Sequence, residues 1–340
     1  MARRRIHGAA LSEFALIEAI RARVNVARRD AALGIGDDAA LLEVPVNREL
    51  VACTDTLVAG VHFLPEALPG DLGWKSLAVN LSDLAAMGAE PAWALLALTL
   101  PNADARFVER FADGFAELAR AHDLALIGGD TTQGPLSITV TALGLVPSGA
   151  ALMRHAACAG DAVFVTGTLG DAAGALRLLR DSGLGTRDSG TAAVHPEILF
   201  SHLNRPQPRV AAGLALRGLA NACIDVSDGL LADLGHVCEA SGVGAELDAD
   251  MLPLSAALTA TFDAATGREL ALSGGDDYEL CFTVPAEREA GLAATFAATG
   301  CSATRIGRVV AAPGVRVFDA DGKPITPPRA GWEHFGVNRP

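Results

Sequence analysis

The chain has 340 residues, half of them apolar and 20% charged, so it can bury a large core and is not intrinsically disordered. That length predicts two domains. Its 27 Lys and Arg stand against 40 Asp and Glu, a net charge of −13, which argues against a general grip on nucleic-acid backbone and predicts that phosphate is reached through metal. After Ser12, residues Phe14, Ile17, Ile20 and Val24 recur at helical spacing and predict an amphipathic helix ending near Arg29. A turn comes next at Gly34-Ile35-Gly36-Asp37-Asp38, then short buried strands at 39–44 and 50–54. Leu77, Leu81 and Leu84 share one face of a helix predicted from about 72 to 87, and Asn80 and Asp83 share another that can present polar ligands. Beyond it lie a strand at 92–99, a helix at 106–121 with Phe107, Phe111, Phe115 and Leu118, a strand at 124–127 ending at Gly128-Gly129-Asp130, and a strand at 136–146.

The pattern restarts near 147–160, which places the domains at 1–147 and 148–340. In the second, 162–166 is a strand, and Gly167-Thr168-Leu169-Gly170-Asp171 is read as a tight strand-to-helix turn. Residues 181–191, rich in Gly, Ser and Asp, read as an exposed loop, and a helix begins after Pro208. A strand at 223–226 runs into Ser227-Asp228-Gly229 and a helix carrying Leu230, Leu231, Leu234 and Val237. Strands near 245–247, 280–284, 305–310 and 315–318 complete the half, with Asp319-Ala320-Asp321-Gly322 as a hairpin turn and not a calcium loop. Strands and helices mix without strict alternation, which favours α+β layers over a doubly wound sheet. The longest greasy run, 92–100, is nine residues, well short of a bilayer span. Arg3 to Arg5 lack an apolar segment behind them and read as a solvated tail. Six scattered cysteines without a C-x-x-C pair predict neither zinc site nor disulfide framework, and a reducing cytoplasm.

Six acidic clusters stand at predicted strand ends or on a helix face: Asp37-Asp38, Thr54-Asp55, Asp83, Gly128-Gly129-Asp130, Asp225 with Ser227-Asp228, and Gly275-Asp276-Asp277. Each alone is ordinary turn chemistry. Together they form an oxygen-only donor set of the kind Mg²⁺ selects, with nucleotide phosphate completing its octahedron. Gly34-Ile35-Gly36-Asp37-Asp38-Ala39 matches the dinucleotide fingerprint by spacing, but a short, Pro-broken strand stands where that fold needs a helix. Gly73-Trp74-Lys75-Ser76 lacks the earlier glycine and preceding strand of a P-loop.

The strings GIGDDAALLEVP (34–45), TDTLVAGVHF (54–63), NLSDLAAMGAEP (80–91), GGDTTQGPL (128–136), DVSDGLLADLGH (225–236) and SGGDDYEL (273–280) closely resemble the thiamine-monophosphate kinases, in order over residues 12–336. That family sits in a superfamily with aminoimidazole ribonucleotide synthetase, selenophosphate synthetase and a hydrogenase maturation factor. The resemblance implies a homodimer whose N-terminal domains form a β-barrel at the interface, and ATP-dependent, several-Mg²⁺-assisted conversion of thiamine monophosphate to thiamine diphosphate without catalytic base or covalent nucleophile. Position by position, it implies magnesium ligation by Asp38, Thr54, Asp55, Asp83, Asp130, Asp225 and Asp228. It implies ATP contacts at Gly129, Asp130, Arg154 and Ser227, and thiamine monophosphate contacts at His62, Asp276 and Trp332. Cys53 stands where some members place a hydroxyl that helps a magnesium ion, and Asp276 where the family often has the longer Glu. Two alternatives stay open. One is another ATP-dependent member of the superfamily, although no cysteine precedes Cys53 to act as a selenophosphate synthetase would require; the other is a nucleotide-binding sensor without turnover.

Overall fold

The computed structural model describes residues 12–181, 195–329 and 331–332. Arg3 to Arg5 and residues 182–191 of the expected loop lie outside them. The chain forms two compact units, Met1–Asn80 with Pro91–Leu145, and Leu81–Glu90 with Val146–Pro340. Both mix helices and strands, an α+β architecture.

In the first unit, helix α1 (Glu13–Arg23) is capped by the Ser12 hydroxyl, which accepts from Ala15 N–H. It stops at Arg23, short of the expected Arg29. Val24 N–H closes on Ile20 O at 2.9 Å. Arg28 then turns aside to pair with Asp30 through two bonds of 2.9 and 2.7 Å and lies 5.7 Å over the Trp93 ring. That guanidinium holds the Asp30 carboxyl below its ordinary range. Strands β1 (Ala31–Leu33) and β2 (Leu41–Leu42) pair antiparallel around the glycine turn. The elements continue with β3 (Arg48–Val58), α2 (Pro69–Ala86, its residues from Leu81 on counted in the second unit), β4 (Glu90–Leu100), α3 (Ala105–Ala121), β5 (Ala125–Gln133) and β6 (Ser137–Pro147). The four longer strands form a sheet ordered β3-β6-β4-β5.

Two strands outrun their expected ends. β3 continues through Asp55 to Val58, and β5 runs through Gly128-Gly129-Asp130 to Gln133, parallel to β4. Ala94 pairs with Leu126 and Leu95 with Gly128, so Ile127 is an extra residue, a bulge that re-aims the rest of the strand. Gly129, at φ +152°, is a matter of space: a Cβ there would lie 1.8 Å from Leu96 O. Helices α2 and α3 also touch through glycine, since a Cβ on Gly73 would lie 2.0 Å from Phe111 O. Leu77, Phe111 and Phe115 are fully buried.

The second unit comprises β7 (Ala162–Thr166), α4 (Asp171–Asp181), α5 (Pro196–Asn204), α6 (Val210–Leu216), β8 (Ala222–Val226), α7 (Leu230–Ser241) and β9 (Gly244–Asp248). It continues with α8 (Ala256–Thr261), α9 (Ala264–Ser273), β10 (Glu279–Val284), α10 (Ala286–Phe296), β11 (Ala303–Val310), β12 (Gly314–Phe318) and β13 (Pro324–Ile325). Asp181 ends a helix and does not begin a loop. The sheet order is β13-β12-β9-β11-β7-β10-β8, antiparallel except for β12 against β9. Every residue of β7, β8 and β10 is buried, as expected of strands covered on both faces. Val163, Val165, Ile224, Val226, Leu234, Val237, Leu247 and Ile306 form one core. The Asp319 turn closes as expected, its carboxylate accepting from Asp321 and Lys323 N–H. Among the described residues no helix is long and apolar enough to cross a membrane.

Candidate active site

Side chains alternate across a strand, and that rule sorts the candidates of the first unit. Thr54 Oγ1 donates to Val140 O at 3.1 Å and lies 3.0 Å from Thr141 Oγ1, while Thr56 meets Thr139 at 2.8 Å. These threonines mark one face of the sheet. Cys53 lies on the other, its Sγ 3.4 Å from Asn80 O of α2, and Asp55 shares that face. Thr54 and Asp55 therefore cannot hold one ion jointly through their side chains. On the threonine side opens a cavity of about 1140 Å³, bordered by Asp37, Asp38, Gly129, Asp130 and Thr141. Asp38, Gly129 and Asp130 thus border the same cavity. Asp38 and Asp130 are exposed, and Asp37 Oδ1 accepts from Asp38 N–H at 2.9 Å, which fixes the turn. His62 stands apart in the turn after β3, where its Nδ1 accepts from Val58 N–H at 3.0 Å and leaves Nε2 to carry the proton.

In the second unit the candidates gather around the end of β8. Asp225, 4% exposed, accepts from the Ser82 hydroxyl in the last turns of α2 at 2.8 Å. Asp83, next in that helix, is half-buried. Beyond Asp225, the carbonyl of Ser227 accepts from Asp276 N–H and that of Asp228 from Trp332 N–H, each at 2.9 Å. Ser227, Asp228, Asp276 and Trp332 are therefore neighbours by backbone bonds, although they are far apart in the chain. Asp276 and Tyr278 both take positive φ, 67° and 50°, a conformation that costs a non-glycine residue about 1 kcal/mol or more. Arg154 is exposed and stands apart from these backbone bonds, its carbonyl accepting from Ser241 Oγ at 3.0 Å.

Three groups had no assigned role in the sequence. Asp233, in the first turn of α7, directs one oxygen at the N–H groups of Ser227, Asp228 and Gly229, at 3.0, 3.1 and 3.1 Å. Burial, reinforced by the charges of Asp225 and Asp228, pushes its carboxyl up to about 7. An acid in the first turn after a Ser-Asp-Gly segment is a legible sign of such a cap. Tyr278 donates its hydroxyl to Asp276 Oδ1 at 2.9 Å. Glu279, 1% exposed, accepts from Thr166 Oγ1 at 2.6 Å and from Nε and Nη2 of Arg209. The other acid of the Asp276-Asp277 pair is structural: Asp277 is buried, accepts from Gly170 N–H at 2.9 and 3.1 Å, and is held well above its ordinary pKa by desolvation. Its bond, with Leu169 N–H on Pro253 O and Gly167 N–H on Ser302 O, satisfies the Gly167–Asp171 turn from within the protein.

A divalent cation fits the chemistry of these donors, which are all oxygen. Among the described residues no three His, Cys, Asp or Glu side chains converge into a ready cage. Mg²⁺ does not demand one, because it keeps several waters and takes one or two carboxylates plus substrate phosphates.

Residues 36–146 match the family described as AIR synthase related protein, N-terminal domain, and residues 159–320 match the corresponding C-terminal domain. The chain is 48% identical over 328 residues to the thiamine-monophosphate kinase of Escherichia coli K12, covering 96% of this chain and 99% of that one. It resembles the crystal structure of thiamine-monophosphate kinase from Stenotrophomonas maltophilia K279a, at 54% identity and a TM-score of 0.83, over 92% of this chain and 98% of that one. It also resembles AaThiL solved in complex with AMPPCP and TMP, at 35% identity and a TM-score of 0.74, over 96% and 97% of the two chains.

Proposed function

This chain belongs to the thiamine-monophosphate kinases of the AIR synthase related proteins, and from that premise we propose a base-free phosphoryl transfer held together by divalent metal. The reaction moves the γ-phosphoryl group of ATP to thiamine monophosphate, giving ADP and thiamine diphosphate. The observation that carries this is near-complete coverage, 96% of this chain and 99% of a kinase relative.

The acceptor is itself a phosphate, whose second pKa near 6 leaves it largely dianionic at neutral pH, so no side chain has to remove a proton. What opposes the reaction is repulsion between two anions in a protein of net charge −13. Several Mg²⁺ ions, when bound, neutralise the phosphates and align them. Asp38, Thr54, Asp55 and Asp130 of the first unit, and Asp83, Asp225 and Asp228 of the second, would hold them. Gly129, Asp130, Arg154 and Ser227 contact ATP. The flat, cationic thiamine part suits the indole of Trp332 and the carboxylate of Asp276, with His62 as a further contact. Residues 1–147 act as the ATP, magnesium and dimerisation half and 148–340 as the half that completes the nucleotide and substrate site. The threonine face of the four-stranded sheet, with Leu50 of β3 47% and Leu95 of β4 37% exposed, supports a homodimer closed over that sheet as a barrel. Function in the cytoplasm accords with six free cysteines.

The test is chromatography of products from ATP and Mg²⁺ with thiamine monophosphate and, separately, with thiamine. Thiamine diphosphate formed from the monophosphate alone, and lost with EDTA, is the expected result. Product from neither acceptor would move the chain to another substrate or to a sensor role.

A further inference from the structure

Tyr278 is the only tyrosine in the chain, and its ring is buried. Among the described residues, it and Asp276 are the one pair of non-glycine residues two apart that both take positive φ. A bulky side chain gains nothing from that conformation by itself. In a regular strand, residues two apart project side by side, and the tip of a tyrosine would stand well beyond the carboxylate of an aspartate. The two backbone inversions remove that mismatch and bring the phenol O–H to Asp276 Oδ1 at 2.9 Å.

The rest of the loop is secured by other means. Asp276 N–H goes to Ser227 O and Tyr278 N–H to Val226 O. Asp277 takes Gly170 N–H, and Glu279 takes Thr166 and Arg209. These bonds hold the backbone and the flanking side chains, whereas the tyrosine hydroxyl reaches the Asp276 carboxylate itself. An O–H bonded to a carboxylate is among the stronger hydrogen bonds and fixes the plane in which the carboxylate lies.

We infer that Tyr278 is a positioning residue for the acceptor substrate, its hydroxyl orienting the Asp276 carboxylate toward the cationic ring of thiamine monophosphate. The inference rests on the reading of Asp276 as a contact to that substrate. Without the hydroxyl the carboxylate loses a strong bond that sets its plane, and substrate binding must then supply the order that the tyrosine now supplies in advance.

Tyr278→Phe removes the hydroxyl and keeps the ring. Loss of a hydrogen bond to a charged group predicts a rise of roughly tenfold in KM for thiamine monophosphate. KM for ATP and kcat at saturating acceptor should stay within about twofold, the signature of lost acceptor binding alone. In an Asp276→Ala background, Tyr278→Phe should add nothing to the acceptor KM, because the group it acts through is gone. An unchanged acceptor KM in Tyr278→Phe, or the same rise in both backgrounds, overturns the inference while leaving Asp276 as a substrate contact. An Asp276→Ala protein with wild-type acceptor KM overturns the contact and the inference together. Absence of thiamine diphosphate from the unaltered protein overturns the function itself.

Discussion

The acidic residues of the first unit and those of the second are built in opposite ways. Asp38 and Asp130 stand exposed on a turn and on the far half of β5, beside a cavity of about 1140 Å³. Asp225 and Asp233 are 4% and 3% exposed, one bonded to Ser82 and the other to three consecutive backbone N–H groups. Exposed carboxylates keep their water and contribute little to the fold, so changing those of the first unit should spare stability. Buried ones are held against desolvation and each other's charge, so in the second unit a substitution should cost the fold as well as any binding role. Substitutions in the two places should therefore separate activity from stability.

The largest effect is expected at Asp130. Asp130→Asn keeps size and shape but removes a ligand charge, and turnover should fall at least about 100-fold. The urea unfolding curve should move by less than about 0.5 kcal/mol, as for other exposed positions. A variant that keeps more than roughly a tenth of the turnover would break the ligand assignment and, with it, the contrast between the units.

Next comes Glu279→Ala in the second unit. It strips Arg209 and Thr166 of their shared buried partner. Removing one member of a buried pair typically costs about 3 kcal/mol, read as a lowered urea midpoint. An unchanged midpoint would mean that the buried polar wiring of this unit does not stabilise it.

Asp233 gives a smaller effect with a definite sign. Its carboxyl titrates near 7 in the folded protein against an ordinary 3.8, because of burial first and the charges of Asp225 and Asp228 second. Between those values the unfolded chain has shed a proton that the folded chain keeps. Stability from this group therefore falls as pH rises from about 4 to about 7 and is level above, with a slope of at most about 1.4 kcal/mol per pH unit. Asp233→Asn retains an oxygen for the three N–H groups and should flatten the slope measured by urea unfolding in EDTA. Adding Mg²⁺ to the unaltered protein should flatten it too, by countering Asp225 and Asp228. Equal slopes in both proteins would show that Asp233 carries no such cost.

This contrast is only half visible in the amino-acid sequence. Helices α2, α3 and α7 are legible because their apolar residues keep period, and strands β7, β8 and β10 because they are short, largely apolar runs with polar flanks. Asp55 and Asp130 read from the sequence as standing at strand ends, yet β3 and β5 run through them. Glycine and aspartate signal a turn equally well when their actual reason is a neighbour's backbone, as at Gly129 against Leu96. The short helices α8 and α9 escape the sequence reading, although Ser255 and Asp263 are ordinary caps for them. The parallel pairing of β12 with β9 joins strands about 70 residues apart, and no local pattern encodes it. Resemblance names the candidate residues, but the opposite facing of Thr54 and Asp55 emerges only from the fold.

The smallest effect sharpens the comparison where an apolar atom stands among oxygen donors. Cys53 occupies β3 directly before Thr54 and Asp55, on the Asp55 face, and its thiol points to Asn80 O at 3.4 Å and Ala142 O at 3.8 Å. A thiol that donates to carbonyls is a poor partner for a hard cation, so metal should be held around it and not by it. Cys53→Ser replaces a weak donor by a stronger one on the same carbonyls, and stability should shift by less than about 1 kcal/mol. The half-saturating Mg²⁺ concentration for turnover should stay within about twofold, since residue 53 then changes no ligand. A several-fold drop in that concentration would place the new hydroxyl in the coordination sphere.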